Sequence, residues 1–291
     1  MTLRRREGLV QLARKHDALV ICDDVYDFLQ WTVITPSEST ASNPPPSPLP
    51  FPPNTPLPRL TDIDRALGPS AHELPDQPAF GHAVSNGSFS KLVGPGVRTG
   101  WAEGTRAFAL GLSTTGATRS GGAPSQLVAA AIAEMMRAGD LDAHIAGALR
   151  PALRRRHAVA VEAVGRVLGK FGVRVSGGDG DGARVYGGYF LWLTLRDGGP
   201  CAAKVAERAK EEENLVVAEG GLFEVAGDEE AARFPMNIRL CYSWEDEEDI
   251  VEGVERLGKV LERLEREQAT GESQGTTDGR GKAGDFRSEY A

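Results

Sequence analysis

Nowhere in these 291 residues does an apolar run approach the roughly 18 residues that a membrane-spanning helix needs. The opening segment MTLRRREGLVQLARKHDALV also lacks the apolar core and small-residue cleavage site of a secretory signal. Cysteine is scarce. Cys22, Cys201 and Cys241 lie far apart and form no C-x-x-C pair, which argues against a zinc site or disulfide framework and suits a reducing compartment. Positive charge is short as well: 33 Lys and Arg against 41 Asp and Glu leave a net charge of −8, the wrong balance for a general nucleic-acid binder. The arginine triplets at 4–6 and 154–156 read as solvated helix faces, and neither a helix-turn-helix module nor an internal repeat is present. The expectation is a soluble, cytoplasmic protein with no nucleic-acid, membrane or metal partner.

What is present is ordinary globular material, 41% hydrophobic and 25% charged, enough for one large domain or two modest ones. Residues 3–16 place Leu9, Leu12 and Ala13 among basic residues, the pattern of a short amphipathic helix. ALVIC follows and ends at Asp23 and Asp24. An unbroken apolar run of that length predicts a strand buried on both faces, as in parallel α/β sheets. Ten prolines then fall between positions 36 and 58, which predicts an extended or disordered surface insert over about 35–59.

From Ala79 the chain reads as strand and turn again, in AFGHAVSNGSFSK and VRTGWAEG. A helix opened by Pro124 is predicted over 124–137, and a longer helical stretch over 141–171 with a kink or break at Pro151. The last third changes texture: VRVSGG, GGYFLWLTL, LVVAEG and MNIRLCYSW are short strand-like runs. They precede an amphipathic helix in which Ser243 is the expected cap and Ile250, Val254, Leu257, Leu261 and Leu264 share one face. The predicted organisation is an α/β domain over 1–149, a small α+β domain over 150–266 and a disordered tail over 267–291.

The chemistry-bearing residues cluster in two places. Asp23 ends a predicted parallel strand, where open α/β folds place their ligands, and Tyr26 stands three residues on. In SNGSFSKLVGPGVRTGW, residues 85–101, Lys91 is flanked by Ser88 three residues before it and Arg98 seven after. A hydroxyl donor and a forked guanidinium suit a phosphate, and Gly87, Gly94 and Gly96 let the backbone approach a ligand. A lysine so placed can attack the carbonyl of a phosphorylated cofactor.

SFSKLVGPGVRTGW resembles the lysine signature of the class I/II pyridoxal-phosphate (PLP) aminotransferases, enzymes of fold type I, and HDALVICDDVYDFLQW resembles their aspartate strand. The likeness runs from about 3 to 266, with the aminoadipate and aromatic branch as nearer kin. The 68-residue separation of Asp23 and Lys91 exceeds the family's usual spacing, and the proline-rich insert accounts for the excess. The resemblance implies PLP as cofactor, transamination between an amino acid and a 2-oxo acid, and a homodimer.

It also implies individual roles. Lys91 is the Schiff-base lysine, Asp23 pairs with the pyridinium nitrogen, and Tyr26 bonds the phenolic oxygen. Ser88, Ser90 and Arg98 bind the phosphate, and Arg239 in MNIRLCYSW grips the substrate α-carboxylate. Family members carry a long stretch before the aspartate strand, whereas here Met1 lies twenty-two residues before Asp23. An N-terminally truncated, incomplete large domain is therefore expected. The alternatives are a catalytically impaired paralogue or fragment, or another fold-type I reaction such as decarboxylation or a lyase elimination.

Overall fold

The structure is a computed structural model and describes residues 1–33, 57–74, 76–120, 125–176, 184–228 and 230–270. All but the last three residues of the expected proline-rich insert lie outside this set, as does the expected tail beyond 270. The elements in chain order are α1 (Leu3–Lys15), β1 (Val20–Asp23), β2 (Gln30–Val33), α2 (Leu60–Ala66), β3 (Ala83–Ser88) and β4 (Gly100–Glu103). Next come α3 (Arg106–Ser113), α4 (Gly116–Arg119), α5 (Gln126–Ala138), α6 (Asp140–His144) and α7 (Arg150–Ala163). The remainder is β5 (Arg174–Ser176), β6 (Arg184–Gly187), β7 (Phe190–Thr194), α8 (Ala202–Glu213), β8 (Ala218–Glu219), β9 (Asn237–Cys241) and α9 (Glu247–Thr270).

These elements make two compact units that interleave in sequence. The first is Met1–Ala160, Ser176–Phe190 and Cys241–Glu247; the second is Val161–Val175, Leu191–Leu240 and the residues from Glu248 onward. Among the described residues no helix is long and apolar enough to cross a membrane.

In the first unit, β1 runs parallel to β3 with Val20 opposite Ala83 and Asp23 opposite Asn86, and β4 returns antiparallel with Ser88 opposite Gly100. Helix α1 starts where the Thr2 hydroxyl accepts the Arg5 N–H, and ends on Arg14 and Lys15, whose charge suits a helix C-terminus. Its Val10 packs with Leu60 and Ile63 of α2 and Ala83 of β3, and Val20 and Cys22 close the cluster. The run ALVIC is thus buried on one face only: Ile21 is 71% exposed. The alternation of a strand decides this, since α1 and α2 cover one side of β1.

Three further features depart from the sequence reading. A short antiparallel ladder of β2 with β6, Trp31 opposite Tyr186, joins segments about 150 residues apart. Pro151 does not break its helix. The turn before it widens over Ile145–Leu149, with the Arg150 N–H reaching back to the Ile145 carbonyl, and this accommodates a residue that lacks its own N–H. Helix α9 begins at Glu247, past Ser243, so Ser243 does not cap it, and it extends to Thr270 into the expected tail.

Helix α2 owes its place to Arg59, the residue before its first turn. The Arg59 N–H donates to Asp62, and the guanidinium reaches Asp62 at 3.0 Å, both oxygens of Glu103 at 2.6 and 2.9 Å, and Asp27 at 3.6 Å. Asp27 and Asp62 are buried, and a buried charge is tolerated only with such partners.

The second unit is a four-stranded sheet in the order β5-β7-β9-β8, with α8 and α9 supplying core residues. Leu191, Leu193, Ile238, Val205, Ala209 and the α9 residues Ile250, Val254, Leu257, Leu261 and Leu264 are buried, as the helical spacing predicts. A Cβ on Gly258 would come within 2.7 Å of Val167, so a glycine there lets α9 approach the helical segment preceding β5.

Two outcomes follow from the first unit's interior. Arg59→Ala strands the buried carboxylates of Asp27 and Asp62 and lowers unfolding free energy by about 3 kcal/mol in urea titration, whereas Arg65→Ala, which removes a more exposed partner of Glu103, costs less than about 1 kcal/mol. His157, 6% exposed, is enclosed by the rings of Trp31, Tyr186 and Tyr242 at 5.5, 4.5 and 5.5 Å. Burial pushes its imidazole down from 6.5 to about 4. The unfolded chain takes up this proton first, so the contribution is complete above about pH 6.5 and is lost as pH falls toward 4. His157→Phe therefore flattens the stability difference between pH 7 and pH 5 by about 2 kcal/mol.

Candidate active site

Parallel pairing brings the carboxyl ends of β1 and β3 to one edge of the first unit, and the expected residues follow from there. Asp23, exposed at the end of β1, accepts a 3.4 Å hydrogen bond from the Asn86 side chain on β3. The chain then turns sharply: Asp24 N–H donates to the Asn86 carbonyl, Asp27 N–H to the Asp24 carbonyl and Leu29 N–H to the Tyr26 carbonyl. This turn carries Tyr26.

Strand β3 ends at Ser88, whose hydroxyl accepts the Ser90 N–H at 3.1 Å and starts a single tight turn, Phe89–Lys91. Buried Leu92 anchors the end of that turn. Past Pro95–Val97, Arg98 adopts a left-handed backbone, φ 45°, a strained choice for a residue with a Cβ, and its guanidinium donates to the Pro95 carbonyl at 3.1 Å. Phe89 N–H donates to the Thr99 carbonyl and Ser88 stands opposite Gly100, so Ser88, Ser90, Lys91 and Arg98 belong to one closed hairpin. Trp101 lies across this hairpin, 4.8 Å from the Phe89 ring and over Gly87, where any Cβ would overlap the indole.

Lys91 is half-buried. Its carbonyl accepts the Tyr189 hydroxyl at 3.0 Å, and its Nζ lies 5.4 Å from the centre of the Tyr189 ring. That ring is in turn 5.0 Å from the ring of Tyr26. Burial pushes the Tyr189 phenol up from its ordinary value, keeping it a donor at neutral pH.

Two further carboxylates follow the exposed Asp23 in the turn, half-buried Asp24 and buried Asp27. Burial raises Asp24 against the opposing pull of the Ser85 hydroxyl and of Arg59. Burial, then the charge of Asp24, pushes Asp27 up to about 7. Cys22 is pushed up to about 11 by burial and the same carboxylate, so its thiol is inert.

Asp23, Tyr26, Ser88, Ser90, Lys91 and Arg98 all lie in the first unit. Arg239 is in the second unit, on β9 opposite Ala218, with its guanidinium 4.3 Å over the Phe223 ring. Sequence reading passed over Asn86, Asp24, Asp27 and Tyr189. The i, i+3 carboxylates in DDVYD and the tyrosine after two glycines were the available signals.

The donor set of the first unit is a carboxylate, a phenol, a primary amine, two hydroxyls and a guanidinium raised on a strained turn. In chemical type these fit a phosphorylated pyridine aldehyde: the carboxylate for a ring nitrogen, the amine for the aldehyde, and the hydroxyls and guanidinium for the phosphate.

No family model matches the chain. It is 36% identical over 260 residues to the protein YER152C of Saccharomyces cerevisiae, covering 89% of this chain and 52% of that one. An aromatic amino acid aminotransferase of Schizosaccharomyces pombe, C569.07, is 32% identical over 108 residues, 37% of this chain and 20% of that protein. Among solved structures, the α-aminoadipate aminotransferase LysN of Thermus thermophilus, complexed with N-(5′-phosphopyridoxyl)-L-leucine, superposes with a TM-score of 0.65 at 25% identity, covering 91% of this chain and 55% of that one. The fold is that of the fold-type I PLP-dependent aminotransferases, mixed α/β, and the chain spans about half the length of these relatives.

The hairpin that presents Lys91 has a sharp steric requirement at Gly87. Gly87→Ala displaces Trp101 from Phe89 and loosens residues 88–98. The expected readouts are a red-shifted tryptophan emission and faster limited proteolysis within 88–98, with the secondary structure measured by circular dichroism retained.

Proposed function

We propose that this chain carries the cofactor-binding residues of a PLP-dependent aminotransferase that moves an amino group between an amino acid and a 2-oxo acid, within a homodimer. The observation that supports this reading best is the common edge of β1 and β3. It gathers Asp23 and Tyr26 from one segment and Ser88, Lys91 and Arg98 from another 68 positions away, in the order and residue types of the family motifs.

When bound, PLP supplies an electron sink for carbanion chemistry at the substrate α-carbon. The chain's own residues do the rest. Lys91 would hold the aldehyde carbon through its amine and, once released, would move the proton at the substrate α-carbon. Asp23 would pair with the protonated ring nitrogen. Tyr26 would donate to the phenolic oxygen, and Ser88, Ser90 and Arg98 would bind the phosphate, for which a guanidinium's forked donors are suited. For Arg239 the proposal is one of chemistry: a forked guanidinium suited to a substrate α-carboxylate.

The test is covalent capture. The chain is incubated with PLP, reduced with borohydride, digested and mapped by mass spectrometry. The expected result is a phosphopyridoxyl group at Lys91 and none there in Lys91→Ala, with the two proteins equally folded by circular dichroism. A folded wild-type chain that carries no label at Lys91 overturns the reading. Where label is found, transfer of the amino group from a panel of amino acids, followed by the loss of cofactor absorbance, separates transamination from decarboxylation or elimination.

A further inference from the structure

Lysine is a poor residue to position by its side chain alone. Its amine sits on four flexible carbons and offers rotating donors, so its placement has to come from the backbone and from what lies under the charge. In this chain both come from one residue. The Tyr189 hydroxyl donates to the carbonyl of Lys91 at 3.0 Å, and the face of the same ring lies 5.4 Å from Nζ, within the range at which an aromatic quadrupole attracts an ammonium.

Tyr189 is itself held from several directions. Tyr242, fully buried, donates its N–H to the Tyr189 carbonyl at 3.0 Å and its hydroxyl to the Gly188 carbonyl at 2.7 Å. Gly188 takes φ +77°, a conformation that side chains resist, and a Cβ there would approach the Tyr26 ring to 3.2 Å. The Tyr26 ring closes the arrangement at 5.0 Å from Tyr189.

We infer that Tyr189 is a positioning residue of this site, fixing the Lys91 amine and the Tyr26 ring with respect to each other. This rests on the proposed function for what Lys91 and Tyr26 do, but the positioning itself is measurable without cofactor. Orientation of reacting groups is worth large factors in rate, so a residue that sets the lysine acts on attachment before any turnover.

The experiment uses Tyr189→Phe, which keeps the ring and removes the hydroxyl, and Tyr189→Leu, which removes both. Two labels are read at Lys91 by mass spectrometry, each relative to exposed Lys210 in α8. One is borohydride-trapped PLP and the other is acetylation by N-hydroxysuccinimidyl acetate. In Tyr189→Phe, PLP attachment at Lys91 falls about fivefold, the worth of one hydrogen bond, while acetylation of Lys91 rises about threefold as the turn loosens. Tyr189→Leu moves both further in the same opposed directions.

A merely structural role gives a different signature, in which acetylation rises at all lysines together as helicity is lost, and that pattern overturns the proposal. So do unchanged ratios at Lys91 in both variants. If the wild-type chain takes no PLP at all, the functional reading fails, and the acetylation ratio alone decides the positioning of Lys91. Should Tyr189→Leu not fold, the Tyr189→Phe comparison carries the decision.

Discussion

The guanidinium of Arg59 reaches carboxylates on three separate pieces of the first unit: Asp27 in the turn after β1, Asp62 in α2 and Glu103 on β4. Removing any of these partners from water is costly unless a cation stands beside it, and Arg59 is held firmly charged by Asp62 and Glu103 against the pull of its own burial. The consequence is geometric. The turn that carries Tyr26 and the hairpin strand that follows Arg98 both reach the same cation, which ties the two halves of the candidate site to one side chain. Asp27 shows how finely the charge is balanced, since burial and Asp24 push it up to about 7 even with Arg59 at 3.6 Å.

Strand alternation then decides which chemistry faces outward. Val20 and Cys22 point to α1 and α2, so Ile21 and Asp23 must share the opposite face. The same period that buries the apolar residues delivers Asp23 to the open side. It also leaves Ile21 exposed, which explains why ALVIC looked like a strand covered on both faces and is not one. Composition reports how apolar a run is, but what lies above and below it is settled by elements elsewhere in the chain.

That contrast sets how much was legible in the residues themselves. Local patterns carried α1, β1, β3, the 88–98 loop and the α9 face of Ile250, Val254, Leu257, Leu261 and Leu264, because period and turn chemistry are written in neighbouring positions. Features that depend on distant partners were not legible. Helix α2 is only seven residues long, and the guanidinium beside its first turn is satisfied by β4 and by the turn after β1. The ladder of β2 with β6 needs residues about 150 apart to meet. Pro151 reads as a helix breaker until the widened turn before it is seen to absorb the missing donor.

The candidate site divides along the same line. Asp23, Tyr26, Ser88, Lys91 and Arg98 could be proposed from the residues because the family motifs they resemble are short and local. Tyr189 was passed over because nothing in GGYF distinguishes a core aromatic from one that holds a lysine; only the 3.0 Å bond to the Lys91 carbonyl and the ring beneath Nζ do so. Its other restraints come from Tyr242, 53 positions further on, and from Tyr26, 163 positions before it. A lysine motif names the nucleophile, whereas the groups that aim it are chosen by the fold and so lie wherever the fold brings a rigid donor within reach. In this chain the reaching group is a half-buried phenol that stays protonated at neutral pH, which lets one side chain serve as hydrogen-bond donor to the backbone and as a platform for the charge.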